Sequence, residues 1–290
     1  MRPKALPAMA AFVFPLMPCK FLLLLAGLLV MQHVAATPRR FVSMNLCTDQ
    51  LLVLLADRDE IVSLSYLAHR QDLSPMTDRA RRYPVNHGLA EEIMGFKPDI
   101  VFAGVFSRRA TVFMLKRLGY RVDVLPVATH FNAIVQNIRT VARAVGHPQR
   151  GERLIAGFNQ HLQRIRQGLP AQKKVVLMYR ENSYTTGKDT LANEIIETAG
   201  FENLAARLGI SGSGHLPLEK LLMQSVDLLI QGRRRSPDGS VAAAALMHPA
   251  YRHYAADRQV IHIDDRLWVC GTPFVLDAID QLRQLHGKRP

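Results

Sequence analysis

The sequence predicts an α/β protein built as two lobes on one plan. Three observations carry this expectation. First, the segment Glu91-Glu92-Ile93-Met94-Gly95-Phe96-Lys97-Pro98-Asp99-Ile100-Val101-Phe102-Ala103-Gly104 returns without a gap as Glu219-Lys220-Leu221-Leu222-Met223-Gln224-Ser225-Val226-Asp227-Leu228-Leu229-Ile230-Gln231-Gly232, at a constant offset of 128. Each copy reads as Glu opening a short helix, Asp opening a buried strand and Gly ending it. Second, strands and helices alternate on both sides of a purely helical tract. Third, the predicted strands are near-continuous apolar runs, the pattern of parallel sheets covered on both faces. Two similar lobes leave a cleft between them.

The elements follow in order. A strand is expected over 41–46, with Thr48 capping a helix over 49–56. A second strand spans 61–66, and the polar stretch 68–87 reads as turns. The Glu91 helix, a strand over 99–103, a helix over 110–118 with Gly119 at its end and a strand over 121–127 complete the first alternation. Over 131–169 no strand intervenes. Ile134, Ile138, Val141, Ala142 and Val145 keep helical spacing up to Gly146. Leu154, Ile155, Phe158, Leu162 and Ile165 do the same in a helix over 149–167. From the residues alone that helix reads either as a spacer or as one more packing helix. Alternation restarts with a strand over 175–179, a helix over 191–198 and Gly200 as its cap. The second echo follows, then a helix over 241–246, a strand over 259–263 and a terminal helix over 273–285.

Apolar residues make up 48% of the 290, enough for real cores, and 37 Lys+Arg against 24 Asp+Glu give a net charge of +13. Arg2, Lys4 and Lys20 precede an apolar run over 21–31, and Val34-Ala35-Ala36 offers small residues before Thr37. This is the pattern of a cleaved secretory signal over 1–36, with Met17 as an alternative start and an uncleaved anchor as the weaker alternative. The run is too short for a membrane span. Cys19 lies before it, where no lipid-accepting cysteine would stand. Cleavage removes three basic residues and no acids, leaving 13 − 3 = +10. Cys47 and Cys270 remain. Export permits a disulfide, but the two fall in different halves of the sequence, and two separate thiols are expected.

Enzyme signatures are missing from the sequence: no Gly-x-Ser-x-Gly elbow, phosphate loop, Cys-x-x-Cys or His-Glu-x-x-His occurs. No catalytic residue and no resident cofactor or metal is expected. Residues 209–215 read as a flexible cleft loop. His262 and Asp264 alternate at a strand end, and strand-edge positions are the simpler reading. His87, His215, His262 and Asp264 form the set to test for zinc or manganese. The echoed Glu91 and Glu219 sit at helix starts, where an anion is favoured. As a pair they suit docking on a two-fold symmetric partner with basic pockets. Beyond the echoed glycines come Phe106, Arg108 and Arg109 in one copy and Arg233, Arg234 and Arg235 in the other. Open parallel sheets bind ligands at such strand ends. With Arg180 and Arg266, also after strands, these favour an anionic, oxygen-rich ligand. Tyr66, Phe106, Tyr184 and Trp268 offer aromatic walls. Export and the lack of a recognition motif speak against nucleic acid.

The chain resembles the periplasmic substrate-binding proteins of the cobalamin and ferric-siderophore class, which feed ABC importers. The resemblance covers roughly 40–285. It rests on Arg40-Phe41-Val42-Ser43-Met44-Asn45, Leu89-Ala90-Glu91 with Lys97-Pro98-Asp99-Ile100-Val101, Tyr184-Thr185-Thr186-Gly187-Lys188, Ala199-Gly200-Phe201-Glu202-Asn203-Leu204, and Trp268 with Pro273. It implies the class III architecture, two α/β lobes each with a mainly parallel sheet flanked by helices and joined by a long spacer helix. The expected divisions are an N-terminal lobe over 37–147, a linker helix over 148–169 and a C-terminal lobe over 170–290. It implies one ligand in the cleft, a periplasmic monomer, and a permease dimer engaged by Glu91 and Glu219. Tyr66 matches the family's aromatic cleft position; Arg266, Trp268 and Cys270 match its ligand-lining segment. Arg266 and Cys270 depart from the cobalamin-binding pattern, and the Arg-rich rims turn the expectation toward a ferric chelate with carboxylate or catecholate groups, with a corrinoid kept beside it. The ligand set is Tyr66, His87, Phe106, Arg108, Arg180, Tyr184, Arg233, Arg266 and Trp268. Haem, with Tyr66, Tyr184 or His87 as axial ligand, and zinc or manganese are the alternatives; a secreted hydrolase ranks last.

Overall fold

A computed structural model describes residues 39–232 and 244–286. The signal segment, Arg233 to Arg235 and the start of the helix expected at Val241 lie outside the described residues. Residues Arg39–Pro290 form one compact unit.

The first sheet has five parallel strands in the order β3-β2-β1-β4-β5. They are β1 (Phe41–Ser43), β2 (Ile61–Ser65), β3 (Val85–Asn86), β4 (Ile100–Gly104) and β5 (Val122–Leu125). The second is parallel in the order β11-β10-β6-β8, made of β6 (Val175–Met178), β8 (Glu202–Asn203), β10 (Leu228–Gly232) and β11 (Gln259–Ile263). Both orders reverse beside the first strand of the lobe, between β1 and β4 and between β6 and β10. Such switch points open a crevice at the carboxyl ends of the strands.

The echo is structural. β4 and β10 keep the offset of 128, and each pairs in parallel with the first strand of its lobe: Ile100 faces Phe41, and Leu228 faces Val176. Asp99 and Asp227 do the same work. The Asp99 carboxylate accepts from Arg40 N at 2.7 Å and its own N–H donates to Arg40 O at 2.8 Å. Asp227 does both with Val175, at 2.6 and 2.9 Å. Each aspartate therefore fixes the start of the neighbouring strand.

Alternation along the strands divides the core. Phe41, Ile100, Phe102, Val176, Leu228 and Ile230 share one cluster that runs through both sheets. Val42, Val101 and Ala103 face a second cluster with Ile93 and Leu115, and Leu177 and Leu229 face a third with Leu221 and Tyr251. Both faces of each sheet are thus buried, as the apolar strand runs predict.

The helices that position the cleft are α1 (Leu46–Leu55), α2 (Thr77–Ala80), α3 (Ala90–Gly95) and α4 (Arg109–Arg117). Then come α5 (Phe131–Val145) and the long α6 (Pro148–Arg166), which leads into the second lobe. Gly146 between them takes a φ of 87°, left-handed backbone that ends α5 and suits glycine. The helix stripes read from sequence are buried at Ile134, Ile138 and Val141 on α5 and at Ile155, Phe158, Leu162 and Ile165 on α6, while Leu154 is only partly buried. The second lobe adds α7 (Leu191–Thr198), α8 (Leu204–Arg207), α9 (Leu218–Leu222), α10 (Ala244–Met247), α11 (Pro249–Ala256) and α12 (Val275–Arg283).

Three expectations are corrected. The cap of α1 is Asn45, whose side chain accepts from Cys47 N at 3.0 Å, so the helix starts earlier than Thr48 predicts. Thr48 instead exchanges a hydroxyl hydrogen bond with Ser43 at 2.6 Å. Residues 209–215 are not a free loop: β9 (Ser213–His215) pairs antiparallel with β7 (Tyr184–Thr186) in a ribbon. Cys47 and Cys270 are joined in a disulfide, with Cα atoms 5.2 Å apart. Sequence position assigns Cys270 to the second lobe, but the segment from Trp268 to Thr272 turns back onto the first. Thr272 Oγ1 bonds Gln50 Oε1 at 2.8 Å, and a Cβ on Gly271 would lie 2.3 Å from the Ala128 Cβ.

Candidate functional site

At the β1/β4 switch point lies a cavity of about 420 Å³. The first lobe supplies Asn45, Cys47, Thr48, Gly104, Val105, Phe106 and 125–129. The second supplies Asp189, Thr190, Leu191, Gly212 and Ser213 from α7 and the ribbon, and Trp268, Val269 and Gly271 from the returning segment. Gly104 matters here because a Cβ would sit 3.0 Å from the Asn45 side chain, closing the crevice at the strand end. The walls are mainly apolar, with neutral amides and hydroxyls, and Asp189 is their one charged group. A second cavity of about 210 Å³ shares Trp268 and Val269 and adds Leu73, Met178, Arg180, Ala192 and Asp265.

Arg180 follows β6, and Asp265 organises it. The Asp265 carboxylate takes the Arg180 guanidinium and also accepts from Trp268 Nε1 at 3.3 Å. Arg180 Nε is buried without a hydrogen-bond partner among the described residues. One buried carboxylate thereby orients the cation and the indole where the two cavities meet.

The other arginines expected in the site are elsewhere. Arg108 is exposed at the start of α4 and lines neither cavity. Arg266 donates from Nε to both Asp264 oxygens, at 2.9 and 2.8 Å, and is only partly exposed. That pairing raises its pKa further and ties the side chain down. Arg233 lies outside the described residues. An arginine after a strand signals position along the chain, and the partner that claims its guanidinium is set by the fold.

The aromatic expectations divide similarly. Trp268 and Phe106 line the larger cavity, and Phe106 is 85% exposed at its mouth. Tyr66 and His87, at the ends of β2 and β3, stack with ring centroids 5.3 Å apart and planes 22° apart, but line neither cavity. His87 N and Nδ1 contact the Glu92 carboxylate at 2.6 and 3.1 Å. These bonds, the backbone one first, hold the Glu92 pKa below its usual range. Tyr184 stands edge-on to His215 on the ribbon, at 5.7 Å. Behind Tyr66, the wholly buried Asp49 accepts from Ser65 N at 2.9 Å and Ser65 Oγ at 2.5 Å. Burial pushes its pKa up to about 7, against the lowering effect of those bonds.

His87, His215, His262 and Asp264 do not assemble a metal site. The one grouping of three donor atoms within 4.8 Å among the described residues is Asp57, Glu60 and His147, at the base of α6. There Arg150 already claims Asp57 at 2.6 Å. Glu91 and Glu219 are both exposed near the starts of α3 and α9. Sequence reasoning missed Asp189 and Asp265. The signal for Asp189 is faint: it follows Gly187-Lys188 and takes a φ of 61°, bonded to Ser211 Oγ at 2.8 Å.

Two parallel-sheet lobes, a long connecting helix and a cavity walled from both lobes define a two-lobed solute-binding protein. The profile of the family described as periplasmic binding protein matches residues 42–267, and the chain belongs to that family. It is 26% identical over 204 residues to a cobalamin-binding protein of Halobacterium salinarum, covering 67% of this chain and 54% of the relative. The chain thus spans about half the length of the curated relative it matches. Its fold is that of a periplasmic haem-binding protein of Vibrio cholerae, at 19% identity and a TM-score of 0.72, covering 87% of this chain and 100% of the other. It is also that of an Fe3+-hydroxamate transport protein of Saccharomonospora viridis, at 19% identity and a TM-score of 0.62, covering 87% and 94%.

Proposed function

We propose that the chain, exported by its N-terminal signal, is the periplasmic solute-binding component of an ABC importer and carries a metal chelate, an iron chelate or a corrinoid, between its lobes. The observation that carries this reading is the 420 Å³ cavity walled by both lobes and joined at Trp268 to the Arg180 subsite. Neutral, apolar walls suit a large macrocycle or a neutral chelate, and Arg180 suits one anionic arm. A catecholate chelate of high negative charge fits this lining less well, since no cation lines the larger cavity among the described residues. Haem is the second reading, favoured by the Tyr66–His87 stack, which places a phenol and an imidazole together at the strand ends. Glu91 and Glu219 are the permease contacts in this proposal, and 37–147, 148–169 and 170–290 remain the lobes and linker.

The test is a titration of residues 39–290 with cyanocobalamin, haemin, a ferric hydroxamate and a ferric catecholate, read by melting temperature. We expect a rise with one of the first three that Arg180→Ala diminishes. A response to the catecholate alone overturns the lining argument, and no response to any overturns the cargo class. Replacing Glu91 and Glu219 by Arg should abolish uptake in cells while leaving that titration unchanged; intact uptake removes the docking assignment.

A further inference from the structure

Outside the cleft, α4 and β5 form the edge of the first lobe's sheet. β5 is an outer strand, and α4 beside it turns apolar side chains to solvent: Phe113 is 62% exposed, Leu118 55% and Met114 46%. Monomeric proteins rarely leave such groups contiguous without a use. The same stretch is cationic. Residues 107–122 hold Arg108, Arg109, Lys116, Arg117 and Arg121 and no acid. Asp123 nearby is taken by Arg121 at 2.7 Å. Arg117 lies over the Phe113 ring at 5.6 Å, so charge and apolar surface are interleaved. Between α4 and β5 runs a groove of about 270 Å³, walled by Val105, Val112, Phe113 and Val124 and flanked by Arg109 and Lys116.

We propose that this face docks on an anionic phospholipid surface, with the groove receiving a headgroup phosphate between Arg109 and Lys116 and the Phe113–Met114–Leu118 ridge entering the acyl boundary. Basic residues around an exposed aromatic and aliphatic ridge are the pattern of interfacial helices, and each cation near an anionic surface adds attraction that salt weakens. Acids of the lobe near the last turn of α4 have partners: the Asp99 carboxylate accepts from Arg40 N and Asp123 pairs with Arg121. Glu91 and Glu92 belong to the helix beside the first turn of α4, where Thr111 Oγ1 donates to Gly88 O at 2.8 Å, and Glu92 is paired with His87. An acidic protein groove is the competing occupant. It would satisfy the cations but leave the exposed Phe113, Met114 and Leu118 without an apolar partner.

The experiment uses residues 39–290, the compact unit without the apolar N-terminal run, which would partition by itself. Sedimentation with phosphatidylglycerol vesicles should pellet the protein, phosphatidylcholine vesicles should not, and added salt should release it. K116E with R117E, and separately F113S with M114S, should each lower vesicle affinity about tenfold or more. All four positions are exposed, so melting temperature should hold, and the ligand titration should stay unchanged. F113W should shift its emission to the blue on anionic vesicles, a gain of signal that does not depend on the loss variants. No pelleting with phosphatidylglycerol, equal pelleting of wild type and both double variants, or an unshifted F113W overturns the proposal. At equal ionic strength, inorganic phosphate releasing no more protein than chloride supports lipid as the source; capture by an acidic polypeptide in place of vesicles overturns it.

Discussion

The two lobes repeat one unit, yet the second lobe contributes to the cavity through parts outside it. In the shared unit, Ile93 matches Leu221, Val101 matches Leu229 and Asp99 matches Asp227, and each pair does the same job of packing or strand anchoring. The second lobe's share of the cavity comes instead from the β7–β9 ribbon, the start of α7 and the returning segment around Trp268. Among the described residues, the two-stranded ribbon occurs in the second lobe alone. The repeated part is a scaffold held by burial, and the chemistry is carried by what was added to it.

Substitutions in the repeated and the non-repeated parts should differ in effect. The largest effect should come from the Cys47–Cys270 bond, which belongs to the non-repeated part. Replacing both cysteines with serine should lower unfolding free energy by about 3–5 kcal/mol, because a long loop gains freedom in the unfolded chain. A denaturant melt showing no loss would mean that the crosslink constrains nothing. Within the repeat, Ile93→Ala and Leu221→Ala remove equivalent buried side chains and should each cost about 2–5 kcal/mol. A large cost in one lobe with none in the other would deny the equivalence.

Asp49 supplies a pH test. Its folded pKa, about 7, stands above the ordinary carboxylate value, so the folded state holds the proton more tightly than the unfolded chain does. Stability from this group is complete below about pH 4 and declines as pH rises to about 7. Asp49→Asn should flatten that decline and gain most at neutral pH; thermal melts across this range that match wild type would refute the assignment. The smallest effect belongs to the matched strand anchors. Asp99→Asn and Asp227→Asn should each cost about 1 kcal/mol, and by similar amounts.

The scaffold was legible in the sequence because burial dictates it. The apolar strand runs, the 128-residue offset and the stripes of α5 and α6 all follow from which side chains must leave water. The site was legible only in part. Trp268, Phe106 and Arg180 reach the cavities, but Arg266 is claimed by Asp264 and Arg108 faces solvent. Ion pairing depends on neighbours brought together from distant positions, which no local pattern records. The disulfide escaped for the same reason, since the return of residues 268–272 onto α1 is a tertiary event. Ser211 to Gly214 looked like a loop because small residues carry no strand pattern, although the backbone of Ser213–His215 forms the ladder to Tyr184–Thr186.

The bond between Cys47 and Cys270 also limits how the molecule can move. Two covalent connections now cross between the lobes, the chain through α6 and this crosslink beside the cavity. Two fixed points define a line, and rotation about that line is the displacement least resisted by covalent structure. Translation of one lobe away from the other is blocked while the crosslink holds. Solutes would then enter from the side of the cavity remote from Cys47, and distances between spin labels on the two sheets should widen there and stay nearly constant near Gly271.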